Sequence, residues 1–288
     1  MTGTHTTGAP ETVRIPTTDH QHLTADHWDG PSTPVVLAHG GGQTRHSWGG
    51  TASTLAARGH RVLSIDLRGH GDSSWASDGD YSMAAYCADA LRALDWLGEP
   101  AAWVGASLGG MTGLHVADAD PDRCTALVLV DITPRPAAAG VERILQFMAA
   151  KATEGFAGLD EAADAIAAYQ PHRPRPRDLS GLSKNLRLGD DGRWRWHWDP
   201  RFLGDRNRTT EHAREQHHDE LETMARRLRM PTMLVRGRLS DLVTQAEVDA
   251  FLEMVPHASY VDVKDAAHMI AGDRNDVFTD AVVDFLDG

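Results

Sequence analysis

The sequence predicts an α/β fold with a mostly parallel central sheet, helices on both faces and a helical lid insertion. Three observations predict it: apolar runs alternate with helix-like runs, each apolar run is hydrophobic along most of its length, and the alternation stops near Pro134 and resumes near residue 229. Strands that are apolar throughout are typical of a parallel sheet covered on both faces. We therefore expect a core of residues 12–133 and 229–288, and an insertion, or lid, of residues 134–228.

The elements of the core follow in order from the residue pattern. Residues 1–11 are polar, rich in Thr and Gly, and predicted to be disordered. Apolar runs predict strands that begin near residues 12, 22, 34, 61, 101, 124, 231 and 258. Helix-like runs cover 47–59, 82–98, 108–119, 244–255 and 275–286. Gly98 is the expected stop of the second helix, because glycine readily adopts the left-handed conformation that ends helices.

The insertion is predicted to be mostly helical and to lie over the carboxyl ends of the strands, where open α/β sheets bind ligands. Helix-like runs occur at 141–152, 158–170 and 209–228. Residues 171–181 are too rich in proline for a core element. Trp194, Trp196 and Trp198 alternate, so in an extended segment all three face one way. They predict either the insertion's own core, which we favour, or an aromatic wall of a substrate pocket.

Composition narrows the class of protein. The 288 residues are 41% hydrophobic and carry a net charge of −13, which makes nucleic acid and anionic membranes poor partners. No apolar stretch approaches the roughly 20 residues needed to span a membrane, and the first residues lack the apolar core of a signal peptide. Cys87 and Cys124 fit a reducing compartment. We expect a cytoplasmic protein that binds a small-molecule substrate; the oligomeric state is not readable.

A candidate nucleophile lies in the stretch "VGASLGG", residues 104–110. Gly105, Ser107 and Gly109 form a G-x-S-x-G pattern after an apolar strand and before a helix, which is typical of a nucleophile elbow. The turn is so tight that side chains at the two glycines would collide with neighbouring backbone. The serine hydroxyl then projects from the sheet edge.

A serine needs a base, and the base needs an orienting carboxylate. His268, between the last strand and the last helix, is the candidate base. Asp241 follows the penultimate strand and is the favoured acid, because it completes the chain order Ser, Asp, His. Asp131, at the end of the strand next to the elbow strand, is the alternative acid, and Asp265 is a weaker one.

An oxyanion hole needs two N–H donors. The N–H group of Leu108, directly after the nucleophile, is one candidate. Gly40, Gly41 and Gly42 follow another strand and let the backbone approach a substrate closely. We assign the second donor to Gly41.

These motifs together resemble the α/β-hydrolase superfamily. The similar stretches are "AHGGGQTRHSW", "DLRGHGDS", "VGASLGGM", "LVRGRLSDLV" and "AAHMIAGDRNDVF". The nearest branch is the one containing non-haem haloperoxidase-like and epoxide-hydrolase-like proteins. The resemblance implies the α/β-hydrolase fold and a catalytic triad. Epoxide hydrolases and haloalkane dehalogenases carry an aspartate at the elbow; the serine here implies acyl transfer instead.

The sequence therefore predicts a cofactor-independent serine hydrolase that cleaves an ester or related acyl bond of a small apolar or aromatic substrate. Alternatives with the same triad are a carbon–carbon bond hydrolase, a lactonase, a perhydrolase or a lyase. A non-catalytic ligand-binding protein on this fold is the alternative from another class.

Further residues around the site also carry predictions. Trp48 and Trp196 are candidate substrate-binding residues. Arg68 and His70 are expected to shape the loop beside the site. His212, His217 and His218 lack the i, i+4 spacing of metal ligands on a helix, so no metal site is predicted. No motif implies a cofactor.

Overall fold

The central sheet is mostly parallel, as predicted. The computed structural model describes residues 9–17, 20–170, 175, 179, 181–182, 185–204, 210–268 and 274–288. The strands are β1 (Glu11–Pro16), β2 (His22–Trp28), β3 (Ser32–Ala38), β4 (His60–Ile65), β5 (Ala101–Ala106), β6 (Cys124–Val130), β7 (Leu186–Leu188), β8 (Trp194–Trp196), β9 (Thr232–Gly237) and β10 (Ser259–Val263). Eight of them form one sheet in the order β1-β2-β4-β3-β5-β6-β9-β10. The β1–β2 and β2–β4 pairs are antiparallel, and the other pairs are parallel.

Helices cover both faces of this sheet. They are α1 (Gly49–Ala57), α2 (Met83–Leu97), α3 (Leu108–Ala119), α4 (Ala138–Ala149), α5 (Leu159–Tyr169), α6 (Glu211–Arg226), α7 (Gln245–Met254) and α8 (Thr279–Asp287). One apolar cluster contains α2 and α3, and a second lies under α1 and α8. Strand β5 is buried throughout, and β3 is buried from Pro34 to Ala38, because both faces of the sheet are covered there. Helix α2 ends at Gly98 with φ 77°, as expected.

The N-terminal prediction needs one correction. Residues 1–8 of the expected disordered segment lie outside the described residues. Glu11, which we also expected to be disordered, is the first residue of β1 and pairs with His27 of β2. A polar residue can begin an edge strand because its side chain stays in water.

The connection between β6 and β9 contains α4, α5, β7, β8 and α6. β7 and β8 form a separate two-stranded sheet, an element the helical prediction did not include. The bounds 134–228 of a lid stay a prediction, and most of the proline-rich stretch 171–181 lies outside the described residues. Helix α4 packs against the loop after β9: the Ala137 N–H donates to the Leu242 carbonyl at 2.9 Å.

Two further findings concern the whole chain. Cys87 and Cys124 are buried and unbridged. In the part of the chain that the structure describes, no helix is long and apolar enough to cross a membrane.

Candidate active site

Ser107 lies in a sharp turn between β5 and α3. Its φ of 45° and ψ of −110° belong to a conformation that residues other than glycine rarely adopt. A Cβ atom at Gly105 would lie 2.3 Å from the carbonyl of Gly109, and one at Gly109 would lie 2.4 Å from the carbonyl oxygen of Ala38. Only glycine fits at either position, as the elbow interpretation expects.

Bonds to neighbouring strands hold this turn in its strained shape. The Ser107 N–H donates to the Val130 carbonyl at 3.1 Å, and the Gly109 N–H donates to the His39 carbonyl at 3.1 Å. The indole N–H of Trp103 donates to the Gly109 carbonyl at 2.9 Å. Strained backbone persists only where its surroundings fix it in this way.

A buried histidine–carboxylate pair lies at the next strand end. Ala106 of β5 pairs with Val130 of β6, so Ser107 and Asp131 follow their strands at the same level. His268 Nδ1 lies 2.7 Å from Asp131 Oδ2, and the two side chains are only 6% and 3% exposed. Asp131 also has a positive φ, 52°.

Two more donors fix the Asp131 carboxylate. The Ser240 hydroxyl donates to Oδ2 at 2.8 Å, and the Gly237 N–H donates to Oδ1 at 3.1 Å. Ser240 Oγ itself accepts from the N–H groups of Leu242 and Val243. Both oxygens of the Asp131 carboxylate therefore accept hydrogen bonds at the sheet edge.

This pairing determines which nitrogen of His268 carries the proton. An ionised carboxylate only accepts hydrogen bonds, so Nδ1 must donate. Nε2 of the neutral ring then keeps its lone pair, which is the form that a general base requires.

The favoured acid, Asp241, is not the partner of His268; the alternative, Asp131, is. Asp241 points outward and forms an ion pair with Arg143 of α4, with 2.6 Å between Nη1 and Oδ2. Asp265 is exposed in the turn after β10. The reason is local: Ser240 turns inward to Asp131, so the next residue along the loop faces α4.

Sequence reasoning did not assign a role to Ser240. Its position directly before the favoured aspartate was the available signal, since adjacent residues in a loop often point to opposite sides. Nothing in the sequence indicated that Arg143 would bind Asp241, because the two residues lie 98 positions apart in the chain.

The glycine loop after β3 is anchored from the core. His39 Nε2 accepts the Leu67 N–H at 3.0 Å, so its Nδ1–H donates to the Gly40 carbonyl at 2.8 Å. Burial lowers the pKa of His39 to about 3, which keeps the ring neutral. The Gln43 N–H donates to the same carbonyl at 3.1 Å.

Of the two predicted oxyanion donors, Leu108 directly follows Ser107, and the glycine loop that contains Gly41 lies beside the same turn. Leu108 is the first residue of α3, and a Cβ atom at Gly40 would lie 3.5 Å from Ser107 Cβ. Within the described residues, no protein acceptor takes the N–H of Leu108 or of Gly41. Helix N-termini carry such free donors and favour negative charge.

Both candidate substrate-binding tryptophans are packed inside the protein. Trp48 is fully buried in the apolar cluster under α1 and α8, so it is a core residue. Trp196 is 4% exposed and makes an edge contact with Phe156, whose ring centroid is 5.1 Å away. This placement matches the interpretation of the alternating tryptophans as the insertion's own core.

Other predicted loop residues have structural partners. The Arg68 guanidinium makes two hydrogen bonds to Asp89, at 2.6 and 2.8 Å, and so fixes the loop after β4. His70 packs between the rings of His39 and Phe202. Among the described residues no group of three or more His, Cys, Asp or Glu side chains could hold a metal ion.

The chain is similar to known proteins in both sequence and fold. Residues 33–274 match the family model described as alpha/beta hydrolase fold. The esterase Rv0045c of Mycobacterium tuberculosis is 30% identical over 272 residues, which cover 92% of this chain and 86% of that protein. A non-heme chloroperoxidase of Streptomyces lividans is 35% identical over 126 residues, or 42% of this chain and 44% of that protein. The crystal structure of E-2-(acetamidomethylene)succinate hydrolase has a TM-score of 0.80 at 19% identity and covers 97% of this chain and 100% of that one.

Proposed function

The chain belongs to the alpha/beta hydrolase fold family and is a hydrolase, and from this premise we propose that it cleaves a carboxylic ester of a small apolar or aromatic substrate through an acyl-enzyme. The family match confirms the resemblance predicted from the motifs. One observation carries the proposal. A serine held at φ 45° and a buried aspartate–histidine pair come from adjacent strand ends. A binding protein has no need of that combination.

In this proposal Ser107 is the nucleophile, His268 the base and Asp131 the residue that orients His268. The Ser107 hydroxyl oxygen attacks the ester carbonyl carbon while His268 Nε2 takes its proton. The N–H groups of Gly41 and Leu108 donate to the oxyanion that forms. The bond to the alcohol then breaks, and the imidazolium returns the proton to the leaving oxygen.

Water completes the cycle. His268 removes a proton from water as the water oxygen attacks the acyl carbon. The bond to Ser107 breaks, the proton passes to the serine oxygen, and the carboxylic acid leaves. No cofactor enters either half of this scheme.

An apolar ring beside the proposed hole supports the substrate class. A Cβ atom at Gly41 would lie 3.4 Å from Phe202 Cζ. The similarity to an esterase of Mycobacterium tuberculosis also supports an ester substrate.

The test is Ser107→Ala in a chromogenic short-chain ester assay, with an active-site phosphonate as a label. We expect the wild type to turn over and to be labelled at Ser107, and the variant to lose about 10⁶-fold in kcat with no label. Equal turnover by both proteins would refute the proposal. A panel of lactones, diketones and carboxylic acids with peroxide separates the alternative reactions of the same triad.

A further inference from the structure

A short segment of the β6–β9 connection is tied directly to the loops at the strand ends. This segment, residues 196–203, begins in β8 and contains His197, which is 1% exposed. The Gly71 N–H donates to His197 Nδ1 at 2.7 Å, and His197 Nε2 lies 3.1 Å from the carbonyl oxygen of Gly42. One imidazole therefore joins the loop after β4 to the glycine loop after β3.

These two contacts leave one tautomer. The Gly71 amide can only donate, so His197 Nδ1 has the lone pair and Nε2 carries the hydrogen. The Nε2–H therefore donates to Gly42. Burial lowers the pKa of His197 to about 3, so the ring is neutral at pH 7.

The glycine loop is consequently fixed at both of its ends. His39 and Gln43 hold the Gly40 carbonyl, which belongs to the same trans peptide unit as the Gly41 N–H and points the opposite way. His197 holds the Gly42 carbonyl on the other side, where φ is 82°. Three consecutive glycines have little intrinsic preference for one conformation, so external anchors determine where the Gly41 N–H points.

Resting on the proposed function, we propose that His197 is a positioning residue for the oxyanion hole: its Nε2–H bond to Gly42 holds the Gly41 N–H in place for the transition state. Phe202, five residues on, adds a packing contact at Gly41 from the same segment. The segment 196–203 is thus part of the catalytic apparatus and not only a cover over it.

Two substitutions separate the two hydrogen bonds of His197. In His197→Gln the amide nitrogen can replace Nε2 and keep the bond to Gly42. In His197→Asn the shorter amide can replace only Nδ1, so the bond to Gly71 is kept and the one to Gly42 is lost. His60→Gln is the matched control, since His60 is also buried but pairs with Asp287, away from the site.

The measurements are kcat and KM on a short-chain ester, the inhibition constant of a trifluoromethyl ketone, and Tm. Removing an oxyanion donor outright costs about 10²–10³-fold in kcat, so a misplaced donor in His197→Asn should cost about 10- to 100-fold with KM within twofold. The ketone, whose adduct carries an oxyanion, should bind more weakly by a similar factor. His197→Gln should restore most of kcat even if its Tm is lower, and His60→Gln should match the wild type.

The outcomes distinguish this inference from the proposed function. If wild-type Ser107 neither hydrolyses esters nor reacts with the phosphonate, the proposed function fails. If the wild type does both and His197→Asn keeps a wild-type kcat, only the role of His197 fails. A kcat loss that follows Tm in both variants, without rescue by Gln, also refutes the role, because it would mean that His197 only stabilises the fold.

Discussion

The carboxylate that orients His268 can be identified by comparing Asp131→Asn with Asp241→Asn. Three donors converge on Asp131: the imidazole Nδ1–H at 2.7 Å, the Ser240 hydroxyl at 2.8 Å and the Gly237 N–H at 3.1 Å. An asparagine keeps one acceptor oxygen and turns an NH₂ group toward the remaining donors. The His268 ring must then change tautomer or rotate, and Nε2 loses the lone pair needed to accept the serine proton.

The size of the effect follows from this loss. Substitution of a triad aspartate by asparagine leaves the geometry intact but lowers kcat by about 10⁴-fold, because the wrong tautomer is populated. At about 1.36 kcal/mol for each factor of ten, this is about 5.4 kcal/mol of transition-state stabilisation. Asp241→Asn breaks only the ion pair with Arg143. The side chain of Asp241 is 38% exposed and that of Arg143 is 46% exposed. Such pairs contribute about 0–1 kcal/mol to stability, so we expect kcat within about twofold of wild type.

The assay is kcat/KM on a chromogenic ester, together with Tm for each variant. The phosphonate label should form slowly in Asp131→Asn and at the wild-type rate in Asp241→Asn. If Asp241→Asn were as impaired as Asp131→Asn, or Asp131→Asn fully active, the assignment made from the hydrogen bonds would be refuted.

Two further predictions concern residues around the site. Ser240→Ala removes one donor to the Asp131 carboxylate. Since a hydrogen bond to a charged group contributes about 1.5 kcal/mol, kcat should fall about tenfold. Ser240→Thr keeps the hydroxyl and should keep most of the activity. Stability should fall in acid: burial lowers the pKa of His39 and His197 to about 3, so between about pH 6.5 and pH 3 the unfolded chain binds protons that the folded one does not. Each ring then lowers the free energy of unfolding by up to about 1.4 kcal/mol per pH unit. Urea unfolding at pH 7 and pH 5 measures this, with a smaller pH effect expected in His197→Gln; the same pH dependence in both proteins would contradict it.

Features that depend on neighbouring residues were predictable from the sequence. The elbow is one, because Gly105 and Gly109 are needed within the same turn as Ser107. The apolar strands are another, since burial on both faces leaves a continuous hydrophobic run. The parallel direction of the strands also follows from their alternation with helices.

Features that depend on distant contacts were not predictable in this way. Asp131 and Asp241 both follow buried strands, and the sequence offers no sign that Arg143 binds the second. The pairing of β7 with β8 joins strands of only three residues each, too short for a periodic pattern. His197 lies between two of the alternating tryptophans, and its two partners are 126 and 155 residues away in the chain.

The neutral rings of His39 and His197 make the loops at the carboxyl ends of the strands sensitive to acid. Each accepts a backbone N–H, from Leu67 and Gly71 respectively, and a proton on the accepting nitrogen would set two donors against each other. Both contacts hold the loop that follows the carboxyl end of β4, while the strand itself is held by its ladder bonds. Local opening of a few loops requires less free energy than global unfolding. Acid should therefore open the loop after β4 first, and activity should fall while the sheet and its helices are still folded.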